Sequence, residues 1–264
     1  MKLSTPIEKL LFTTIRIETR LPDGSFVDGT AFVFEYSTSD NTYPFLITAK
    51  HLINDALEGR ITLYQGQNRS PIIGKGYTLD IDNFSKLWFC HPDDNANVAV
   101  TPFVPFVKHV ENSGVSICFQ ALNDACVYDY ENSDVSLVSN DVVYLGYPKH
   151  CWDKKHLLPV FRSGILSLPF DLDYQGNRQA IVDTQVIQGS SGSPVFIKSD
   201  QLKNSTENML LGVLTNLSEV IENDTDEKET LSDNPLYESN MGQIIRMDVA
   251  IEAIVAYLQE KGFL

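Results

Sequence analysis

The feature that most restricts the fold is a recurrence of short runs rich in β-branched and aromatic residues, each of strand length. In the first half they fall at Leu11 to Ile17, Thr30 to Tyr36, Tyr43 to Thr48, Ile61 to Tyr64, Val98 to Thr101 and Val115 to Phe119. Val142 to Leu145, Gly164 to Leu168, Gln179 to Asp183, Ser193 to Ile197 and Met209 to Thr215 continue the series. Turns containing Asp/Gly, Asn/Ser or Pro separate most of them, so the pattern predicts an all-β barrel or sandwich. One helix is expected at the carboxyl end, with Asp248 as its cap, an apolar stripe from Val249 to Leu258 that docks on its own domain, and Gly262 as its stop. Residues 106 to 140 are polar and suit a junction between two halves. Residues 218 to 240 are acidic and aperiodic and read as a solvated loop.

Composition supports a packed core and narrows the partners. Of 264 residues, 43% are hydrophobic and 21% charged, which suits a globular chain. The 35 acidic residues outweigh the 20 basic ones, for a formal charge of −15, which argues against nonspecific binding to nucleic acid or anionic lipid. No run approaches the roughly 18 apolar residues of a membrane span. The opening residues lack the long apolar segment of a signal peptide. A soluble, cytoplasmic protein is the expectation, and Cys90, Cys118, Cys126 and Cys151 are expected as free thiols. His150, Cys151 and His156 offer only three ligands on one loop, too few for structural zinc, so no metal is expected. No glycine-rich phosphate loop occurs, and no cofactor is expected.

Two segments carry chemistry. In Gln188-Gly189-Ser190-Ser191-Gly192-Ser193-Pro194, a serine sits among small residues ahead of an apolar strand. A serine hydroxyl needs a base to become a nucleophile, and the oxyanion formed on attack needs preorganised donors. Gly189 permits the backbone angles that turn its N–H and that of Ser191 toward one point, and Gly192 keeps bulk away. A plain structural turn is the alternative for this segment taken alone. The second segment, Tyr43 to His51, is an apolar strand ending in Thr48-Ala49-Lys50-His51. An imidazole at the end of a rigid strand suits a general base, since its ordinary pKa of about 6.5 lets it accept and return a proton near neutrality.

Together these segments resemble the trypsin-like serine proteases. Thr48-Ala49-Lys50-His51 is similar to that family's Thr-Ala-Ala-His strand end, and Gly189 to Pro194 to its Gly-x-Ser-Gly-Ser-Pro turn, a version common in bacterial members. Gly29-Thr30-Ala31-Phe32, Leu145-Gly146-Tyr147-Pro148, Arg162-Ser163-Gly164-Ile165 and Leu211-Gly212-Val213-Leu214 fit the same register, as does the order His before Ser. The resemblance implies a chymotrypsin-like fold of two antiparallel six-stranded β-barrels, about 5–110 and about 115–245, followed by a helix at about 248–261. His51 and Ser191 would face each other across the cleft, with the Gly189 and Ser191 N–H groups as oxyanion hole.

The departures from the family are as informative. Where the family places an aspartate before a Val/Ile-Ala-Val strand, His91 to Val100 puts Asn97. An amide can orient the histidine but cannot stabilise an imidazolium as a carboxylate does. Four readings stand open: a slow Ser191/His51/Asn97 enzyme, rescue by Asp93 or Asp94, a silent protease fold, or an introduced replacement. Ser190 occupies the position of the aspartate used in zymogen activation, and no Ile-Val-Gly-Gly start is present, so activity is either constitutive or controlled by a partner that orders the turn. The resemblance places the primary pocket around Gln185, Thr215, Asn216 and Leu217. Gln185 is neutral, which favours a small or medium uncharged side chain over Arg or Lys. The leading expectation is a serine endopeptidase acting on protein or peptide substrates. The alternative is a weak or inactive module that binds a peptide or partner protein in the same cleft.

Overall fold

The structure, a computed structural model, describes residues 5–133, 136–202, 208–216 and 241–264. The first half contains α1 (Pro6–Leu10), β1 (Thr14–Arg20), β2 (Phe26–Ser37), β3 (Thr42–Thr48), β4 (Glu58–Gln67), β5 (Ser70–Asp82), β6 (Phe89–Cys90), β7 (Ala99–Pro102), α2 (Val104–Asn112) and β8 (Leu122–Asn123). These strands hydrogen-bond in the order β5-β4-β1-β2-β3-β7-β6, with β8 alongside β2. The second half contains β9 (Asp141–Gly146), β10 (Val160–Leu166), β11 (Gln179–Asp183), β12 (Pro194–Ile197), β13 (Met209–Asn216) and β14 (Met241–Arg246), and ends in α3 (Met247–Glu260). Its strands close into an antiparallel barrel in the order β10-β11-β14-β13-β12-β9. The second half is therefore a closed six-stranded barrel, whereas the first is a curled sheet whose ladder stays open between β5 and β6.

Three apolar clusters explain the runs in the sequence. In β2, residues Thr30 to Phe34 are all buried because both faces of the strand are covered. Ala31 and Val33 point into the first half's interior with Ile15, Ile17 and Leu46. Phe32 and Phe34 face the other way, into a core shared with Phe196, Val213 and Ile245 of the second half and with Val249, Ala253 and Ile254 of α3. A third cluster, including Tyr144, Val182 and Leu214, fills the closed barrel. The α3 stripe thus docks on its own chain, where each buried large side chain contributes about 1.5–3 kcal/mol.

Several sequence expectations need correction. Val115 to Phe119 is no strand: it makes one isolated bridge, Ile117 to Gln65, and packs its apolar side chains on the first half's interior. Asp248 is not the cap of α3; Arg246 holds that position and Asp248 lies in the first turn. There its carboxylate accepts from Arg178 and from Tyr130, each at 3.2 Å, and complements the helix dipole. Strands β5 and β14 and helix α2 were not anticipated. The acidic segment 218 to 240 lies outside the described residues.

Candidate active site

Strand β3 ends at Thr48, and the chain then makes one 3₁₀ turn over Lys50–Leu52 that carries His51. Buried Leu52 anchors this turn against β2 at Gly29, where a Cβ would lie 3.1 Å or less from the leucine's branch carbons. Strand β7 pairs with β3 so that Ala99 stands opposite Thr48, which brings Asn97 alongside His51. The Asn97 Oδ1 accepts the His51 backbone N–H at 3.0 Å. The His51 Nδ1 lies 2.9 Å from Asn97 Nδ2 and 3.2 Å from Oδ1. Asn97 is itself fixed by the tight turn before it, in which Ala96 N–H donates to Asp93 C=O at 3.1 Å and Asn95 N–H to Asp93 Oδ1 at 3.0 Å.

Neither aspartate of that turn is spent on His51. Asp94 is fully exposed and pairs with Lys50 Nζ at 3.2 Å. The Asp93 N–H donates to His91 Nδ1 at 3.0 Å, and His91 Nε2 in turn approaches Glu252 of α3 at 3.4 Å. The Glu252 carboxyl is held below its ordinary range, first by its hydrogen bonds to Arg178. A polar chain therefore ties the Asn97 turn to the C-terminal helix.

Ser191 lies in the turn ahead of β12 and is buried. Gly189 and Gly192 have φ of +95° and +84°, a region that other residues enter only under strain. A Cβ on Gly189 would collide with the Tyr147 carbonyl, and one on Gly192 with the Thr30 carbonyl. The turn's own N–H groups are largely used: Ser190 donates to Ile187 C=O at 2.8 Å, Gly192 to Leu214 C=O at 2.7 Å and Ser193 to Ser190 C=O at 3.1 Å. Among the described residues the N–H groups of Gly189 and Ser191 have no backbone acceptor. The Gln188 C=O accepts from Lys149 N–H at 2.7 Å, and across a trans peptide the following N–H, that of Gly189, points the opposite way. Among the described residues, two backbone donors beside the serine therefore lack a backbone acceptor.

The two chemical segments meet at Thr30 and Thr48. Ser191 C=O accepts the Thr30 N–H at 2.9 Å, and Thr48 Oγ1 donates to Thr30 C=O at 2.7 Å, three residues before His51. The sequence quoted Thr30 and Tyr147 only as supporting register; their bonds to the turn were not legible in it. Of the anticipated pocket residues, Gln185 is exposed, and its C=O accepts from Arg162 at 2.8 Å. Thr215 is buried and donates to Gln243 Oε1 at 3.2 Å. Asn216 pairs with Gly242 in the β13 and β14 ladder, and Leu217 lies outside the described residues. Buried Gln243 was not foreseen because nothing ahead of β14 marked it as a strand. Of the discounted metal cluster, His156 pairs with Asp153 at 2.7 Å and Cys151 is exposed.

No family model matches the chain, and no curated protein matches it. Solved structures do. HL collagenase is similar over 97% of this chain and 96% of its own, at 12% identity and a TM-score of 0.50. Tobacco etch virus protease, catalytically active and complexed with product, is similar over 93% of this chain and 77% of its own, at 12% identity and 0.49. A protease from M. tuberculosis in its active form is similar over 94% and 82%, at 13% identity and 0.47. At these identities the likeness concerns the fold alone. With its curled first sheet, closed second barrel and helix packed across both, the chain has the chymotrypsin-like fold.

Proposed function

We propose that this chain is a trypsin-like serine endopeptidase. Ser191 Oγ attacks a substrate carbonyl carbon while His51 Nε2 takes its proton, and the displaced electron pair resides on an oxygen held by the Gly189 and Ser191 N–H groups. Collapse breaks the C–N bond, His51 returns the proton to the leaving amine, and water repeats the sequence to free the acid. Asn97 orients His51. The observation that carries the reading is a convergence: the serine turn and the histidine strand both bond to Thr30, beside two N–H groups that have no backbone acceptor among the described residues. Hydrolysis of a peptide library, read by mass spectrometry, tests it; cleavage that disappears in Ser191→Ala is expected. Exposed, neutral Gln185 supports a small or medium uncharged residue before the scissile bond, and cleavage chiefly after arginine would refute that preference.

The Asn97 amide nitrogen, 2.9 Å from His51 Nδ1, favours a second reading. An amide N–H donated to Nδ1 places the ring proton on Nε2, where it cannot act as base. In this reading the cleft is a weak or silent module that binds a peptide, and the library is retained but not cut by both wild type and Ser191→Ala. Constitutive activity requires a serine turn that this chain holds by itself, and the bonds of Ser190, Gly192 and Ser193 at 2.7–3.1 Å are of that kind. Unchanged hydrogen exchange of residues 188 to 191 on adding candidate partners is the matching result.

A further inference from the structure

Thr30 is a fully buried polar residue, and each of its polar groups bonds a different part of the candidate site. Its N–H donates to the Ser191 carbonyl at 2.9 Å, and its carbonyl accepts from Thr48, at the end of the strand that leads to His51, at 2.7 Å. Its hydroxyl accepts from the Tyr147 N–H at 3.1 Å and donates to the Gly189 carbonyl at 2.8 Å. Tyr147 opens the segment whose Lys149 secures the Gln188 carbonyl. We propose that Thr30 is a positioning residue that helps set the orientation of the Gly189–Ser190 peptide, which lies between the two peptides that carry the Gly189 and Ser191 N–H donors. The inference rests on the peptidase reading.

The Gly189–Ser190 peptide plane is held by one bond at each end, Ser190 N–H to Ile187 C=O at 2.8 Å and the Thr30 hydroxyl to Gly189 C=O at 2.8 Å. Gly189 stands at φ +95°, in a region where glycine moves between conformers with little steric resistance. A carbonyl buried without a partner is unstable, so the Thr30 hydroxyl bond selects one orientation, with the Gly189 oxygen turned toward β2. Without it only the Ser190 N–H bond to Ile187 C=O opposes rotation of the oxygen toward the cleft, which would place an acceptor where an oxyanion requires donors. A hydroxyl is needed because the same atom must accept from Tyr147 and donate to Gly189. Serine can do both and valine neither, although valine matches threonine in shape. Close approach of the serine turn to β2 is permitted by Gly192, whose missing Cβ leaves room for the Thr30 carbonyl.

The test compares Thr30→Val and Thr30→Ser with wild type in ester and peptide hydrolysis, with thermal midpoints to verify folding. Thr30→Val should lower kcat by roughly 10²- to 10³-fold, the scale of losing one oxyanion donor, with KM changed by less than about threefold. Thr30→Ser should restore kcat to within about threefold of wild type. A readout independent of turnover is amide exchange at Tyr147, which should accelerate in Thr30→Val and not in Thr30→Ser. If Thr30→Val does not fold, Thr30→Ala replaces it in the same comparison. Equal kcat in wild type and Thr30→Val, or no rescue by serine, overturns the role of Thr30 while leaving the peptidase reading intact. Wild type that neither hydrolyses ester nor reacts with a fluorophosphonate overturns the peptidase reading and the positioning role with it.

Discussion

Replacing Asn97 by aspartate is the sharpest perturbation of the site. The side-chain atoms of Asn97 lie 2.9 and 3.2 Å from His51 Nδ1, so a carboxylate there would face the imidazolium at about 3 Å. At an effective dielectric constant of about 20, suited to a half-buried pair, the attraction is about 332/(20 × 3), or roughly 5 kcal/mol. One decade in rate corresponds to about 1.36 kcal/mol, so the ceiling is close to four decades. Chymotrypsin-type enzymes lose about 10⁴-fold in turnover on the reverse change, which matches that ceiling. Desolvating the new carboxylate subtracts from the gain, and the His51 N–H, already 3.0 Å from Oδ1, offsets part of it. The expected increase in kcat for Asn97→Asp is therefore about 10²- to 10⁴-fold, with little change in KM. Steady-state hydrolysis of a peptide ester and a peptide amide between pH 5 and 9 measures it. A kcat equal to or below wild type, in a protein of unchanged thermal midpoint, would refute the reasoning that Asn97 occupies the acid position.

Other predictions concern the frame that holds the site. Alanine at Gly192 and at Gly24 meets the same left-handed backbone, which costs about 1–2 kcal/mol, but only Gly192→Ala also strikes the Thr30 carbonyl. Its thermal midpoint should fall at least twice as far as that of Gly24→Ala, on a scale of about 2–4 °C per kcal/mol, and equal shifts would contradict the packing described. Burial pushes the Tyr147 phenol up to about 12. Its folded pKa exceeds the unfolded value of about 10, so its stabilisation is complete below pH 10 and is lost as pH rises to 12, a total of about 3 kcal/mol. Urea midpoints should drop more steeply over that window in wild type than in Tyr147→Phe, and parallel curves would count against it. Phe32→Ala, in the core between the halves, should cost about 3–5 kcal/mol, whereas Phe26→Ala, 65% exposed, should cost less than about 0.5 kcal/mol; similar losses would contradict the assignment of that core.

What the sequence disclosed depended on burial. Strands β2, β3, β12 and β13 are covered on both faces and so stand out as apolar runs. Strand β5 lies at the edge of the sheet, with many exposed positions and three glycine or lysine residues in succession from Gly74 to Gly76, so its sequence lacks both alternation and a run. Helix α2 hides in Val104 to Asn112 because its β-branched residues mimic a strand, yet Pro105 in its first turn and the burial of Phe106 and Val110, four apart, suit a helix. In Val115 to Phe119 the same residue types are satisfied by burial without a ladder. At the candidate site the histidine and serine motifs were legible because their chemistry constrains neighbours in sequence. The roles of Thr30, Thr48 and Lys149 were not, because each depends on contacts between distant segments.

The most direct test is the mass of the protein after exposure to a fluorophosphonate, with the modified residue located by peptide mapping. A single adduct on Ser191, formed faster in Asn97→Asp and lost in His51→Ala, is the predicted result. An unmodified protein in both wild type and Asn97→Asp, or an adduct on a different residue, would contradict the account.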